Sequence, residues 1–275
     1  MDRRARYSLH PTGDHLPRHG AIRTPADPAY LRDLFNHSAR YYDPVNRLTS
    51  LGQVVLWRKE VARAAHVRPD DRVLDAFCGP GGLAEQVLPH LGAAGELVLA
   101  DLSPVMLHEA RIRLSRKVKP GIGRRDGPRL DFVAGDLLRE ELGLRDFDTV
   151  LFGWGLRYVP DVGAALGRMR GFLKPGGRMA LLEFTKPRPR GWAVPAQFYF
   201  RRILPGIGSW LARDRELHEY MSVSAAEFLS APELVEAVAE AGFVIDSCHS
   251  HLGGLVTIVA AVRTDGKLQA GGYFN

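Results

Sequence analysis

The sequence predicts an α/β protein with a mostly parallel, seven-stranded sheet that carries helices on both faces. From Arg72 onward, seven short apolar segments alternate with amphipathic segments of helical length. The apolar segments are almost continuously hydrophobic, which is typical of strands covered on both sides of a sheet. They read VLDAF, LVLAD, LDFVAGD, DTVLFGW, GRMALLEF, VIDSC and LVTIVAAV.

The last strand is predicted to run antiparallel to its neighbour. Only the short polar link HSHLGG separates the last two apolar segments, so an antiparallel pair at one edge of the sheet is expected. Between residues 186 and 230 the alternation breaks into an aromatic and basic stretch. Because ligands of such sheets bind at the carboxyl ends of strands, an insertion there is well placed to form a lid.

Ahead of the sheet, the chain begins with a segment that is unlike a folded domain. Residues 1–28 contain four prolines, five arginines and three histidines, and we expect them to form a mobile basic tail. A short helix is predicted from Tyr30 and a second one from about Leu51 to Ala65. The predicted organisation is this tail, a single domain over residues 29–265, and a second tail over residues 266–275.

Composition excludes several classes of protein. The 275 residues are 45% hydrophobic and 25% charged, which rules out wholesale disorder. Cys78 and Cys248 are too few for a disulfide framework or a four-ligand zinc site, and no metal is expected. No apolar run approaches the roughly 18 residues of a membrane span, and the N-terminus lacks the apolar core of a signal peptide. A cytoplasmic protein is therefore expected.

The chain is basic, and part of the excess is local. The formal net charge is +6, and residues 116–129 carry six cations and one anion among glycines and prolines. These residues form either a solvated loop at one edge of the fold or a docking patch for lipid or nucleic acid. Charge alone does not choose between the two.

A glycine-rich turn follows the first strand. The strand ends near Asp75 and continues into AFCGPGG, after which a helix begins. Gly79 and Gly81 allow a tight turn and a close approach of the backbone to a ligand. The dinucleotide-binding fingerprint fails because its third glycine position is Ala84, and the phosphate-binding loop fails because no Lys-Ser/Thr pair follows.

Acidic residues end the next two strands. Asp101 lies some twenty residues after the turn, where a carboxylate can accept both hydroxyls of a ribose. Asp136 ends the third strand, where it can accept from an adenine amino group while Leu137 packs on the ring. Together with Asp75 they predict an adenosine site without a pyrophosphate. The alternative interpretation is that all three carboxylates only cap the helices that follow them.

With these residues in place, the chain resembles the class I S-adenosylmethionine-dependent methyltransferases, and more narrowly the ubiquinone/menaquinone C-methyltransferase family. One stretch that carries the narrower resemblance runs from Tyr42 to Trp57 and matches at Tyr42, Asp43, Asn46, Ser50, Gly52 and Trp57. The other is GLRYV at residues 155–159, followed by LKPGGRMALLEFTKP at residues 173–187. Weaker similarity extends the match from about Leu34 to Val262.

The resemblance implies a Rossmann-like class I methyltransferase fold and S-adenosylmethionine as the cofactor. Departures from the family pattern are Tyr158 in place of Asn, Val55 in place of Arg or Gln, Cys78 in place of Gly, and Gly82 in place of Asp. Pro80 and Gly153 replace hydroxyl residues, which leaves only backbone contacts there. The predicted cofactor-binding residues are Asp75, Gly79, Pro80, Gly81, Asp101, Leu102, Asp136, Leu137 and Gly153.

Arg157 and Tyr158 are the predicted catalytic residues. Methylation of an aromatic carbon requires a neighbouring hydroxyl to lose its proton, and a guanidinium is able to stabilise the phenolate. The alternative is that Arg157 only pairs with a carboxylate, Glu183 or Asp161. Four histidines are candidates for the base that removes this proton, although the sequence does not place them in the site: His37, His218, His249 and His251.

The leading hypothesis is a C-methyltransferase that acts on an aromatic, quinol-type acceptor, prenylated or polyketide-like. The apolar stretch at residues 194–211 would then form a wall for the tail or touch the membrane, unless its side chains are simply covering helices. The alternative function is O- or N-methylation of a specialised metabolite. An RNA substrate and a binding protein that has lost transfer are weaker hypotheses, and no nucleic-acid partner is expected. Peripheral membrane contact and a homodimer are left open.

Overall fold

A computed structural model describes residues 27–117, 127–187 and 215–264. Its seven strands form one sheet in the order β3-β2-β1-β4-β5-β7-β6. All pairs from β3 to β5 are parallel, and β7 runs antiparallel to both β5 and β6. The predicted fold class, including the antiparallel last strand, is confirmed. The strands are β1 Arg72–Ala76, β2 Glu96–Asp101, β3 Arg129–Ala134, β4 Phe147–Gly153, β5 Leu173–Phe184, β6 Phe243–His251 and β7 Val256–Arg263.

Helices cover both faces of this sheet, and their starts follow ordinary capping rules. Asp27 caps the first helix, Ser103 the fourth and Asp161 the fifth, each by accepting a backbone N–H of the first turn. Ser230 and Glu233 form a capping box at the seventh. The helices are α1 Pro28–Thr49, α2 Gln53–Ala64, α3 Ala84–Val87, α4 Pro104–Ser115, α5 Val162–Phe172, α6 Arg215–Glu227 and α7 Ala231–Glu240.

Two apolar layers sandwich the sheet, which explains the continuous hydrophobicity of its strands. Neighbouring residues of β1 point to opposite layers: Val73 packs with α2, α3 and α4, whereas Leu74 packs with α5 and α7. Both side chains are fully buried. Each central strand therefore lacks a solvent face, in contrast to β6 at the edge, most of whose residues are partly or fully exposed.

The N-terminal helix is longer than the sequence predicted. Instead of a short helix from Tyr30, α1 has 22 residues and continues through Pro44. A third apolar cluster joins it to α6, through Leu31 and Leu34 of α1 and Leu217 and Tyr220 of α6. Tertiary packing of this kind stabilises a helix that proline disfavours locally. The two helices lie together over the carboxyl edge of the sheet.

Several sequence predictions lie outside the described residues. They are the first predicted tail apart from residues 27 and 28, the whole second tail at residues 266–275, the centre of the basic loop at residues 118–126, and the aromatic stretch at residues 194–211. Of the predicted lid, residues 186–187 and 215–230 are described, and the second of these ranges contains α6. Along the described ranges, no helix is both long and apolar enough to cross a membrane.

Candidate active site

A cavity of about 800 Å³ opens at the carboxyl ends of β1 to β4. This is the edge at which parallel sheets bind their ligands, because the strand-to-helix loops converge there. Eight of the nine predicted cofactor-binding residues line this cavity: Asp75, Gly79, Pro80, Asp101, Leu102, Asp136, Leu137 and Gly153.

The ninth, Gly81, lies behind the glycine turn. Its φ is +75°, and a Cβ atom there would lie 3.0 Å from the Cβ of Ala110 in α4. The close approach that requires glycine at this position is therefore an approach to a helix. Gly79, with φ of +51°, faces open space in the cavity. Of the two glycines, only Gly79 is available to a ligand.

Asp101 fixes the conformation of the turn. Its Oδ2 accepts from the N–H of Gly79 at 2.8 Å, and its Oδ1 accepts from the N–H of Ser103 at 2.8 Å. Burial raises the pKa of this carboxyl to about 6, although the backbone N–H groups of Ser103 and Gly79 oppose the shift. Each oxygen keeps a second lone pair, so a ligand hydroxyl can still be bound.

Asp75 lies deeper, at the end of β1, and is fully buried. Its Oδ2 accepts from the N–H of Ala84 at 3.0 Å, whereas its Oδ1 has no partner among the described residues. Burial, reinforced by the negative charge of Asp101, raises the pKa of Asp75 to about 8. An unpartnered buried oxygen beside a cavity is costly unless a ligand donates to it.

The third acidic strand end is more open. Asp136 accepts from the N–H of Leu138 at 2.9 Å and lies 3.7 Å from Arg139, while Leu137 is almost fully buried. Each of the three carboxylates thus accepts from a backbone N–H of the segment that follows its strand. Ser103, and not Asp101, caps α4, and Asp136 is followed by a turn. The contacts use only part of each carboxylate, so they are compatible with ligand binding.

Arg157 is buried behind the cavity wall. Its NH1 donates to Glu183 Oε1 at 2.8 Å, and its NH2 donates to the hydroxyl of Tyr158 at 2.6 Å. The structure brings Arg157 to Glu183 and leaves Asp161 as the cap of α5, where it accepts from the N–H of Ala164. Arg157 does not line the cavity; Tyr158 does.

Tyr158 belongs to an aromatic wall formed with α1 and α6. Its ring stacks on Tyr220 at 5.5 Å between centroids and meets Phe35 edge-on at 5.4 Å. Phe35 in turn meets Tyr42 edge-on at 6.0 Å. Phe35, Tyr42 and Tyr158 all line the cavity, as does Leu31. One end of the cavity is therefore acidic and glycine-rich, and another is aromatic.

Sequence reasoning missed Leu31 and Phe35 as lining residues. Their helical spacing was visible, but it indicated only an amphipathic helix with an apolar face. It also missed Arg58, which lines the cavity and pairs with Asp43, NH1 to Oδ1, at 2.6 Å. The available signal for Arg58 was its position directly after the stretch from Tyr42 to Trp57.

The candidate histidines lie elsewhere. His249 and His251 on β6 both bond to Glu60 of α2, at 2.8 and 2.9 Å, and His37 is exposed. The side chain of His218 lies outside the described residues. Among residues that the structure describes, no histidine lines the cavity, and no group of three or more histidine, cysteine, aspartate or glutamate side chains is arranged to hold a metal ion.

The fold is that of the class I methyltransferases, and comparisons with solved structures agree. A solved S-adenosylmethionine-dependent methyltransferase from Aquifex aeolicus matches with a TM-score of 0.54 at 13% identity, covering 86% of this chain and 98% of the other. The solved [4+2]-cyclase SpnF matches with a TM-score of 0.61 at 15% identity, covering 90% and 100%. At such identities, these matches show the fold.

The family follows from sequence comparison. The model of the ubiE/COQ5 methyltransferase family matches residues 23–263, and the chain belongs to this family. It is 32% identical to the ubiquinone/menaquinone biosynthesis C-methyltransferase UbiE of Legionella pneumophila, over 85% of this chain and 90% of that protein. It is 30% identical to the demethylmenaquinone methyltransferase of Desulfitobacterium hafniense, over 84% and 89%. The chain is an S-adenosylmethionine-dependent methyltransferase, as the sequence predicted.

The raised pKa of Asp75 predicts a pH dependence of stability. From about pH 4 to pH 8 the folded protein keeps Asp75 protonated, whereas the unfolded chain ionises it, so unfolding releases a proton. The contribution of Asp75 to the free energy of unfolding should then fall by up to about 1.4 kcal/mol per pH unit across this range. In urea unfolding experiments from pH 5 to pH 8, the free energy of unfolding should decline less steeply with pH for Asp75→Asn than for the parent protein. Equal slopes for the two proteins would contradict this assignment.

Proposed function

We propose that this enzyme transfers the methyl group of S-adenosylmethionine to a ring carbon of an aromatic, quinol-type acceptor. The observation that carries the proposal is that one cavity combines the acidic, glycine-rich strand ends with an aromatic wall in which a tyrosine hydroxyl is bonded to a buried arginine. The names of the relatives from Legionella and Desulfitobacterium support the same acceptor class.

The residues at the strand ends fit the cofactor. Asp101 offers free lone pairs to the ribose hydroxyls, and Asp136 with Leu137 offers an acceptor and an apolar surface to the adenine. When Asp75 is ionised, its unpartnered Oδ1 suits a cationic donor. When bound, S-adenosylmethionine supplies an electrophilic methyl group on a sulfonium centre. The chain itself must bind, orient and activate the acceptor.

Tyr158 is the residue proposed to touch the acceptor. Its hydroxyl accepts from Arg157, and its own proton has no acceptor among the described residues, so it is available to an acceptor oxygen. Burial raises the pKa of Tyr158, which keeps the hydroxyl protonated as a donor. A phenolate bound there would be stabilised by this hydrogen bond and, through it, by the guanidinium charge.

Arg157 then acts through Tyr158 as a positioning residue, which modifies the direct role inferred from sequence. Glu183 holds the guanidinium at one nitrogen and also accepts from the N–H groups of Leu156 and Phe184. The carboxylate balances the buried positive charge and fixes its direction. The aromatic wall of Phe35 and Tyr42 offers the acceptor ring stacking and edge contacts.

The second candidate function is O- or N-methylation of a specialised metabolite. Tyr158 favours it, since a tyrosine hydroxyl in this wall would bind a polar acceptor as readily as a quinol. Incubation of the enzyme with labelled S-adenosylmethionine and a reduced prenylated naphthoquinol distinguishes C-methylation from O- or N-methylation. The proposal expects a product whose new methyl is bonded to carbon by NMR. An O-methylated product, or label transferred only to polar metabolites, would overturn it.

Cofactor binding should depend strongly on Asp101. Asp101→Ala removes a charged acceptor for two ribose hydroxyls, each hydrogen bond to a charged group being worth roughly 1.5–3 kcal/mol. Calorimetry should show S-adenosylhomocysteine affinity reduced by at least about tenfold. Asp246→Ala on β6 is the matched control, since Asp246 pairs with Arg178 away from the cavity. Unchanged affinity in a folded Asp101→Ala protein would remove Asp101 from the site.

Turnover should depend on the hydroxyl of Tyr158. Tyr158→Phe keeps the ring stack and the buried Arg157–Glu183 pair, so the fold should be retained. Losing one preorganised donor should lower kcat by roughly 100- to 1000-fold, with S-adenosylhomocysteine affinity unchanged. Tyr41→Phe is the control, because Tyr41 is exposed on α1. Full turnover in Tyr158→Phe would exclude the proposed activation.

A further inference from the structure

The exposed apolar side chains of the protein are concentrated in one region. Among the residues that the structure describes, the five large hydrophobic side chains that are exposed all lie on α1, on α2 or between them: Tyr30, Tyr41, Leu48, Leu51 and Leu56. Leu51 is 82% exposed, Leu56 61% and Leu48 56%. Single exposed leucines are ordinary, whereas three within nine residues are not. Residues 48–56 are called the α1–α2 corner below.

Helix α1 carries apolar residues on two sides. Leu34 and Val45 are buried against the rest of the fold. Tyr41, Pro44 and Leu48 are exposed, and their spacing of three and four residues places them on one face of the helix. This second face continues the exposed apolar surface from the middle of α1 to the α1–α2 corner.

Leu51, at the tip of the corner, has an unfavourable backbone conformation. Its φ is +52°, in the left-handed region where a bulky side chain is costly, and Gly52 follows with a φ of +79°. The N–H of Leu51 donates to the carbonyl of Leu48 at 3.0 Å, which keeps the two leucines close together. Because the side chain of Leu51 is so exposed, packing within the described chain returns little for this cost. A strained and exposed apolar residue indicates a contact outside the chain.

The charges beside the corner are positive. Arg47 and Lys59 are exposed, and neither has an acidic partner among the described residues. Glu60 is the only carboxylate between residues 44 and 65, and it is bonded to His249 at 2.8 Å and to His251 at 2.9 Å. Exposed leucines beside unbalanced cations are the combination with which proteins bind the surface of an anionic bilayer.

The corner lies at the same edge of the sheet as the cavity. The ring of Trp57 lies 6.4 Å from that of His251, the last residue of β6. Both β5 and β6 are antiparallel to β7, so β6 ends at the carboxyl edge of the sheet. Arg58, which lines the cavity, follows Gly52 by six positions, or about 9 Å along α2. A surface that contacts the corner is therefore close to the cavity.

We propose that the α1–α2 corner docks on an anionic lipid bilayer, with Leu48, Leu51 and Leu56 in the apolar part of the interface and Arg47 and Lys59 at the headgroup phosphates. A second copy of the chain is the other occupant to consider. A stable protein interface buries about 800 Å² on each partner, which is far more than three leucines at a protruding corner provide. A lipid surface requires no complementary shape, and the cations match its charge.

Docking also gives a source for the acceptor, and this part of the inference rests on the proposed function. A quinol with an apolar tail resides in the bilayer, and the cavity opens at the edge of the sheet that would face it. Binding to vesicles is measured without any acceptor. The failure of docking and the failure of quinol methylation are therefore distinguishable.

The test is co-sedimentation with vesicles of phosphatidylcholine alone and of an equimolar mixture with phosphatidylglycerol. The parent protein should bind the anionic vesicles more tightly. Leu51→Asn should weaken this binding by about fivefold or more, because an apolar side chain no longer enters the interface. Its melting temperature should be unchanged or higher, since asparagine tolerates a positive φ. A leucine that served only folding would not give this combination.

A pair of charge variants tests the electrostatic part. Lys59→Gln should weaken binding to the anionic vesicles by about fivefold. Lys174→Gln is the matched control, because it removes the same charge at the start of β5, where Lys174 pairs with Asp148. This control should bind like the parent protein.

Turnover links docking to catalysis. Leu51→Asn should methylate a water-soluble, short-chain quinol at the parent rate and a long-chain quinol held in anionic vesicles several-fold more slowly. Vesicle binding that is equal in Leu51→Asn and the parent protein would overturn the proposal. A dimer that Leu51→Asn dissociates, without vesicle binding by the parent protein, would also overturn it and would assign the corner to a second copy. Vesicle binding without methylation of either quinol would leave docking intact and contradict the proposed function.

Discussion

The buried carboxylate of Asp43 holds the N-terminal helices against the sheet, and the aromatic end of the cavity depends on it. Burial alone would raise the pKa of Asp43, yet Arg58 and Arg113 hold it below its usual value. The carboxylate thereby ties α1 to both α2 and α4. Because α1 carries the aromatic side chains and α6 packs on α1, these ion pairs position a wall made largely outside the sheet.

Charge placement distinguishes the two ends of the cavity. At the strand ends, burial raises the pKa values of Asp75 and Asp101, and the negative charge of Asp101 raises that of Asp75 further. The protein thus retains carboxyl groups that a bound cationic or hydroxylic ligand can satisfy. At the aromatic end, the positive charge of Arg157 is kept behind Tyr158 and balanced by Glu183. At that end, the hydroxyl of Tyr158 and not the guanidinium faces the cavity.

Glycine serves different purposes within one short turn. Gly79 adopts a left-handed conformation in front of open space, Gly81 allows α4 to approach, and Gly82 leaves room for Arg58. The family resemblance marked Gly82 as a departure, and the sequence offered no reason for it. The reason is a side chain 24 positions earlier in the chain, which reaches the turn from another helix.

The sequence by itself determined the α/β class, the acidic strand ends and the family, since these rest on local periodicity and on short motifs. It also determined that Asp75, Asp101 and Asp136 would meet, because carboxyl ends of parallel strands share one edge. It could not decide whether Arg157 faces the cavity or Glu183, and it could not show that Arg58, Phe35 and Leu31 line the cavity. Those facts depend on how α1, α2 and β5 pack across long sequence separations, and side-chain direction is set by that packing alone.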